Sequence, residues 1–233
     1  MTRGVGVTEL LRETLPEWSV PLFEFVALLG DELLVGAVLL LLACTDAYRS
    51  FRHGDDRLLS DRTAFVLAVV LGGLAFTLAL KSAFGLPRPP ASLRAIPKET
   101  PGFPSGHTMA ATVCWTALAL WSTRWTRRRR LALAAVPIGL VAVSRLALGV
   151  HYLVDVVASI GFGVGYLILA ATLTGKDPTK AFAGAAILGV AALVVTGGTT
   201  DGWLAFVGCL GGAVGWWVIT RPTVRELWVS ASS

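Results

Sequence analysis

The stretch SRLALGVHYLVD, Ser144 to Asp155, sets an arginine, a histidine and an aspartate inside strongly apolar sequence. Ionisable groups at membrane depth are costly, so they tend to mark functional sites. His151 and Asp155 are spaced i, i+4, which puts them on one face of a helix. A carboxylate there accepts the proton of one ring nitrogen and leaves the other nitrogen facing a substrate. Arg145 lies six residues before His151, across a break at Gly149. Its guanidinium offers a planar fork of donors suited to phosphate oxygens. Taken alone, the stretch reads equally well as a buried Arg145–Asp155 ion pair beside a core histidine.

Two further stretches decide between these readings. In GFPSGHTMA, Pro104 precedes Ser105, a good helix N-cap, and an apolar run follows. The first N–H groups of that helix, at Gly106 and His107, form an anion site supported by the helix dipole. Gly106 lets an oxyanion approach the backbone closely, and His107 faces the same place from the first turn. In KSAFGLPRPP, Lys81 and Arg88 supply two cations near one boundary, with prolines that stiffen the loop. By itself that run would pass for snorkelling anchors. Together the three stretches bring three cations, a hydroxyl, a helix N-terminus, two histidines and a carboxylate. They include no cluster of carboxylates for magnesium or calcium. This suits a phosphoryl group held by protein cations, with one histidine attacking phosphorus and the other protonating the leaving oxygen.

The elements that must position these groups are membrane spans. Of the 233 residues, 55% are hydrophobic and 15% charged, against roughly 25% charged in ordinary soluble domains. Several apolar runs approach the ~20 residues that cross a bilayer. The reading is an all-α polytopic membrane bundle of about seven spans: residues 20–44, 63–84, 106–123, 131–149, 151–174, 181–197 and 203–219. Residues 8–18 are short and amphipathic, an interfacial helix. No cleavable signal peptide is expected, because residues 1–19 lack the apolar core and carry Glu9, Glu13 and Glu17. The net charge of +5 does not point to nucleic acid, since the basic residues gather at span ends. Cys44, Cys114 and Cys209 lie in separate spans without metal-ligand spacing, and His53 sits in a charged loop.

Lysine and arginine set the orientation. Arg49, Arg52, Arg57, Arg62, Arg124, Arg127 to Arg130, Lys176, Lys180, Arg221 and Arg225 make thirteen on one side, against five on the other: Arg3, Arg12, Arg88, Arg94 and Lys98. The richer side is expected to be cytoplasmic, with the N-terminus out and the C-terminus in. Lys81, Arg88, Ser105, His107, Arg145 and His151 then all fall at the outer ends of spans two to five. Asp31 and Glu32 fall near the same boundary, as an ordinary span end or, for Asp31, as a residue that orients catalytic groups or binds substrate.

The motifs K-x6-R-P (Lys81, Arg88, Pro89), P-S-G-H (Pro104 to His107) and S-R-x5-H-x3-D (Ser144, Arg145, His151, Asp155) stand complete and in order. With them the chain resembles the type-2 phosphatidic acid phosphatase superfamily, which also contains the vanadium haloperoxidases. The resemblance covers about residues 20–174. It implies His151 as the nucleophile that forms a phosphohistidine, Asp155 as its orienting partner and His107 as the acid for the leaving group. Lys81, Arg88, Ser105, Gly106 and Arg145 match the phosphate-binding groups; no metal and no cofactor is implied. The family core usually has six spans with both termini inside. Here the first is expected to be reduced to the interfacial helix, with two spans added at the end. The expected divisions are an interfacial N-terminus (1–19), a phosphatase core (20–174), two additional spans (175–220) and a cytoplasmic tail (221–233).

The expected function is a metal-independent lipid phosphatase of the cell membrane, working on a lipid phosphate or diphosphate at the outer face of the bilayer. A polyprenyl diphosphate is favoured, because the outer loop between Arg88 and Pro104 is short and resembles that of small microbial carrier-lipid phosphatases. Phosphatidate, phosphatidylglycerol phosphate and sugar phosphates stay open, as does transfer of the phosphoryl group to a second lipid or sugar. An anion-binding transporter or scaffold is a different class. It would need the cations but not two positioned histidines. The charge asymmetry generates a direct prediction. Cysteines placed at Thr199 and Thr126 should react with an impermeant thiol reagent from outside and inside respectively. The reverse pattern would put the site in the cytoplasm.

Overall fold

In hydrocarbon each backbone polar group must find its partner within its own segment, so long apolar runs become helices. The computed structural model describes residues 6–123 and 125–232, and all regular structure among them is helical. Arg3 and Arg124 of the charge count, the rest of residues 1–5 and Ser233 lie outside the described residues. The helices are α1 (Gly6–Thr14), α2 (Val20–Ala27), α3 (Glu32–His53), α4 (Asp61–Phe84) and α5 (Gly106–Trp121). They continue with α6 (Arg127–Ala147), α7 (Leu153–Thr174), α8 (Pro178–Val195), α9 (Thr200–Ile219) and α10 (Pro222–Ser232). Six of them, α3, α4 and α6 to α9, are long and apolar enough to cross a membrane; α5 has 16 residues and is shorter.

The first apolar segment departs from the expected single span over 20–44. Helix α2 ends in a 3-10 turn, Leu28–Gly30, and Asp31 is extended, with φ −75° and ψ 142°. The Asp31 carboxylate then accepts the Leu33 N–H at 2.9 Å and caps a new helix. That helix, α3, continues through Asp46 to His53, where a loop was expected. No breaker interrupts it before Gly54, which has φ +67°, and polar side chains are tolerated in a helix once it leaves the apolar layer. The C-terminal segment, expected as a tail, forms α10.

The chain divides into two compact units. One, Gly36–Phe76 with Leu167–Ser233, is built around the α8–α9 hairpin. There Thr199 caps α9 through the Gly202 N–H, the Phe182 and Trp216 rings stack, and Trp216 Nε1 donates to Thr179 Oγ1 at 3.0 Å. Helix α10 is tied down by an Arg225–Asp56 ion pair and by Trp228 Nε1 donating to Ser50 Oγ.

The other unit, Met1–Val35 with Thr77–Tyr166, contains every candidate site residue. Its frame is α5 against α6, with α1 and α2 also packed on α6. Trp115 on α5 donates its indole N–H to the Leu29 carbonyl at 2.9 Å, which fixes the turn that precedes Asp31. Helix α6 ends in a Schellman motif. The Gly149 N–H bonds Leu146 O at 2.9 Å, and the Val150 N–H bonds Arg145 O at 3.3 Å. Gly149 is left-handed, at φ +69°, and this turn throws the chain straight to His151. The Ala95 N–H reaches Leu148 O at 3.0 Å, so the loop after α4 is stitched onto the same turn.

A Cβ on Gly149 would lie 2.0 Å from the Leu93 carbonyl oxygen. Gly149→Ala should therefore lower both thermal stability in detergent and activity. The left-handed backbone alone costs an ordinary residue about 1–2 kcal/mol, and the clash adds to that. An unchanged unfolding temperature would contradict this account of the turn.

Candidate active site

The site is built from the last turn of α4 and the loop after it, the first turn of α5, the last turn of α6, the α6–α7 connection and the first turn of α7. His151 lies in that connection and is fully buried, as is Asp155 in the first turn of α7. The Tyr152 N–H donates to Asp155 Oδ2 at 2.9 Å, which holds the carboxylate beneath the histidine. The His151 Nδ1 atom faces the same oxygen at 3.5 Å, outside hydrogen-bonding geometry. Its Nε2 atom lies 3.0 Å from Arg88 Nη1. A guanidinium can only donate, so Nε2 is the acceptor and the ring proton sits on Nδ1, facing Asp155. Burial first, then the Arg88, Arg145 and Lys81 charges, hold His151 well below the ordinary histidine value. The imidazole is therefore neutral at pH 7, with its lone pair on the atom that faces the cations.

Arg88 follows α4 in the proline-stiffened loop, and each nitrogen of its guanidinium has a partner. Nε donates to Thr100 O at 2.7 Å and Nη2 to Thr100 Oγ1 at 3.0 Å. Nη1 donates to Val150 O at 2.9 Å as well as meeting His151. Burial, then the nearby Arg94 charge, lower it to about 10, so it stays cationic at neutral pH. Gly102 permits this placement. A Cβ there would come within 2.9 Å of Pro87 O, and the Gly102 N–H bonds Leu86 O at 2.7 Å.

At the start of α5, Ser105 has the extended backbone of an N-cap, but its hydroxyl does not cap the helix. Ser105 Oγ lies 3.0 Å from Thr108 Oγ1 instead. This corrects the expected capping bond. The consequence favours an anion, because the side chain leaves the first-turn N–H groups uncapped. Lys81 reaches the same place: a Cβ on Gly106 would sit 3.7 Å from its Nζ. Arg145, in the last turn of α6, is buried, and its Nε has no hydrogen-bond partner. His107 is partly exposed, with Nε2 3.8 Å from Asp31 Oδ2. Asp31 thus has two contacts, capping α3 with one oxygen and facing His107 with the other.

Contacts join Lys81 with Gly106, Arg88 with His151, His151 with Asp155 and His107 with Asp31. The Ser105 N–H reaches Asp155 O at 3.4 Å and links the second and third motifs. Among the described residues, no group of three His, Cys, Asp or Glu side chains could hold a metal ion. Beside the polar groups, the Phe84, Phe103 and Phe162 rings form an aromatic cluster, with centroids 4.9 Å apart for Phe84–Phe103 and 6.1 Å for Phe103–Phe162. Phe103 is two residues from Ser105, and Phe84 is one turn from Lys81.

Sequence reasoning missed two residues. Thr100 fixes Arg88, and Thr8 on α1 donates its hydroxyl to His151 O at 3.0 Å. Both contacts cross loops, over 12 and 143 residues. Only the amphipathic pattern of α1 hinted that one of its faces would be covered.

Residues 62–179 match the model of the PAP2 superfamily. No curated protein matches the chain. Among solved structures, the chain is similar to the crystal structure of the first transmembrane PAP2 type phosphatidylglycerolphosphate phosphatase from Bacillus subtilis. The TM-score is 0.61 at 19% identity, over 73% of this chain and 83% of that one. At that identity the likeness concerns the fold.

The geometry generates a test of the two arginines. Arg88→Ala and Arg145→Ala should each lower kcat by about 10²–10³, by analogy with the loss of single oxyanion donors, while the purified proteins keep their helical content. Near-normal kcat/KM in either variant would remove that residue from the site.

Proposed function

The chain belongs to the PAP2 superfamily, and we propose that it is an integral-membrane lipid phosphatase working through a covalent phosphohistidine on His151. One observation carries this reading: the neutral Nε2 of His151 points at a guanidinium, with a carboxylate behind its opposite nitrogen. A phosphoryl group would be received by Lys81, Arg88, Arg145 and the first-turn N–H groups of Gly106 and His107. Ser105 lines the same position. The incoming oxygens take the Nη1 donor of Arg88, and that releases the lone pair of Nε2.

In the first step Nε2 forms the N–P bond as the bond from phosphorus to the leaving oxygen breaks. The proton on His107 passes to that oxygen. Asp155 stabilises the positive charge that develops on the His151 ring. In the second step His107 takes a proton from water, the water oxygen bonds to phosphorus, and the N–P bond breaks to release inorganic phosphate. Asp31 Oδ2, 3.8 Å from His107 Nε2, holds that ring in place. No step needs a metal or a cofactor. The chemistry rests on charges arranged in advance around the transferring group.

The substrate in this reading is a lipid phosphate or diphosphate whose head lies at the outer interface. The Phe84, Phe103 and Phe162 cluster supports it by offering an apolar flank for the first carbons of a tail. A polyprenyl diphosphate is the favoured substrate, since the loop between Arg88 and Pro104 leaves little room for a separate head-group domain. The Bacillus subtilis fold neighbour keeps phosphatidylglycerol phosphate as a second reading. The outward orientation follows from the basic asymmetry of the connections.

Phosphate release should be measured on purified protein in detergent with excess EDTA, across polyprenyl diphosphate, phosphatidate, phosphatidylglycerol phosphate and p-nitrophenyl phosphate. Activity should persist and be highest on the polyprenyl diphosphate. His107→Ala should lose most of its rate on alkyl monoesters, within the ~10²–10⁴-fold that general acid catalysis supplies. It should retain more on p-nitrophenyl phosphate, whose leaving group needs less help. Loss of activity on chelation that magnesium restores would overturn the metal-independent reading. An equal loss on both substrate types would remove the acid role from His107.

A further inference from the structure

We infer that Thr8, on the N-terminal amphipathic helix, is a positioning residue for the nucleophile His151. The inference rests on the phosphohistidine reading above. The α6–α7 connection carries His151 on irregular backbone, so its buried carbonyls need partners from outside the segment. Two successive carbonyls find them in side chains. Val150 O accepts from Arg88 Nη1 at 2.9 Å, and His151 O accepts from Thr8 Oγ1 at 3.0 Å. Thr8 is completely buried although its helix is short and otherwise largely exposed. The imidazole thus meets Arg88 at its ring and faces Asp155 at 3.5 Å, and its main chain is held by α1.

The rest of α1 is built to hold that contact. Leu11, one turn on from Thr8, packs against Ala142, Leu146 and Val156. Those residues lie on the helices that carry Arg145 and Asp155. The stem of Arg12 lies along the left-handed turn, with its Cδ 3.3 Å from where a Gly149 Cβ would stand. The head of Arg12 pairs with Glu17 at 2.9 Å and secures the far end of the helix. Val7 and Leu10 remain exposed. They form an apolar face suited to the bilayer interface, where a helix of this kind lies in the plane. The helix therefore clamps the nucleophile's loop. Nucleophilic attack is sensitive to displacements of about 1 Å, so loss of the clamp should act on the chemical step.

The test compares Thr8→Val, which removes the hydroxyl at nearly constant shape, with Thr8→Ser, which keeps it. Full-length protein in detergent is mixed with labelled substrate, and the phosphoenzyme burst is timed by acid-free quench. Thr8→Val should slow the burst roughly tenfold, in line with a buried carbonyl left unpaired, with KM little changed. Thr8→Ser should restore the rate. Amide hydrogen exchange of residues 149–153 should quicken in Thr8→Val alone. Thr8→Ala replaces Thr8→Val if the latter does not assemble. A wild-type burst with unchanged exchange in the valine variant would overturn the inference and leave the phosphohistidine reading intact. Equal loss in valine and serine variants would make Thr8 a packing residue only. Absence of any phosphoenzyme in the wild type would overturn the underlying reading and this inference with it.

Discussion

The contact between the Arg88 guanidinium and the Nε2 atom of His151 is the one on which the rest of the site depends. It determines the tautomer, which places the ring proton toward Asp155 and the lone pair toward the cations. It also explains why so much of the surrounding loop exists to hold one arginine. Thr100 accepts from Nε and Nη2, Gly102 lets its own backbone pass close against Pro87 and Arg88, and Val150 O shares Nη1 with His151. Burial, and then a cation held this tightly against the ring, keep the imidazole neutral. In the proposed mechanism Arg88 exchanges that lone pair for a phosphate oxygen.

A second constraint is the accumulation of like charge. Lys81, Arg88 and Arg145 gather at helix ends beside an uncapped N-terminus, and Arg145 keeps an unpartnered Nε in a buried position. Such an arrangement costs folding free energy unless an anion completes it. The fold carries that cost with rigid hardware: the Schellman turn at Gly149, the Trp115 bond to Leu29, and the N-terminal helix fastened to the His151 carbonyl. Strain and unpaired charge of this sort collect at functional sites.

Much of the candidate site was legible in the sequence because its chemistry is local. The close spacing of His151 and Asp155, the Pro104–Ser105 helix start and the run that holds Lys81 and Arg88 are patterns within short windows, and the structure brings all three into one unit, although His151 lies on the connection before α7 and not on a helix face shared with Asp155. The apolar runs likewise marked most of the helices to within a few residues. What was not legible depends on partners far along the chain. The break at Leu28–Asp31 lies inside a run that reads as continuous, and its cause is a tertiary bond to Trp115 on α5 together with a cap from Asp31. The Ser105 hydroxyl was expected to cap its own helix; Thr108 takes it instead. Thr8 carries no local sign at all, since an amphipathic pattern says that a face is covered and not which atom it meets. Helix α3 outran its expected end because charge was read as loop, whereas only Gly54 breaks the backbone.

The account stands most directly on where phosphorus becomes attached. Full-length enzyme would be quenched at neutral to alkaline pH within the first turnover of a labelled lipid diphosphate, digested, and mapped by mass spectrometry under conditions that preserve phosphoramidates. The account predicts a single acid-labile phosphohistidine at His151, bonded through Nε2 and absent from His151→Ala. Phosphate on His107, or a labelled enzyme that still forms in His151→Ala, would contradict it.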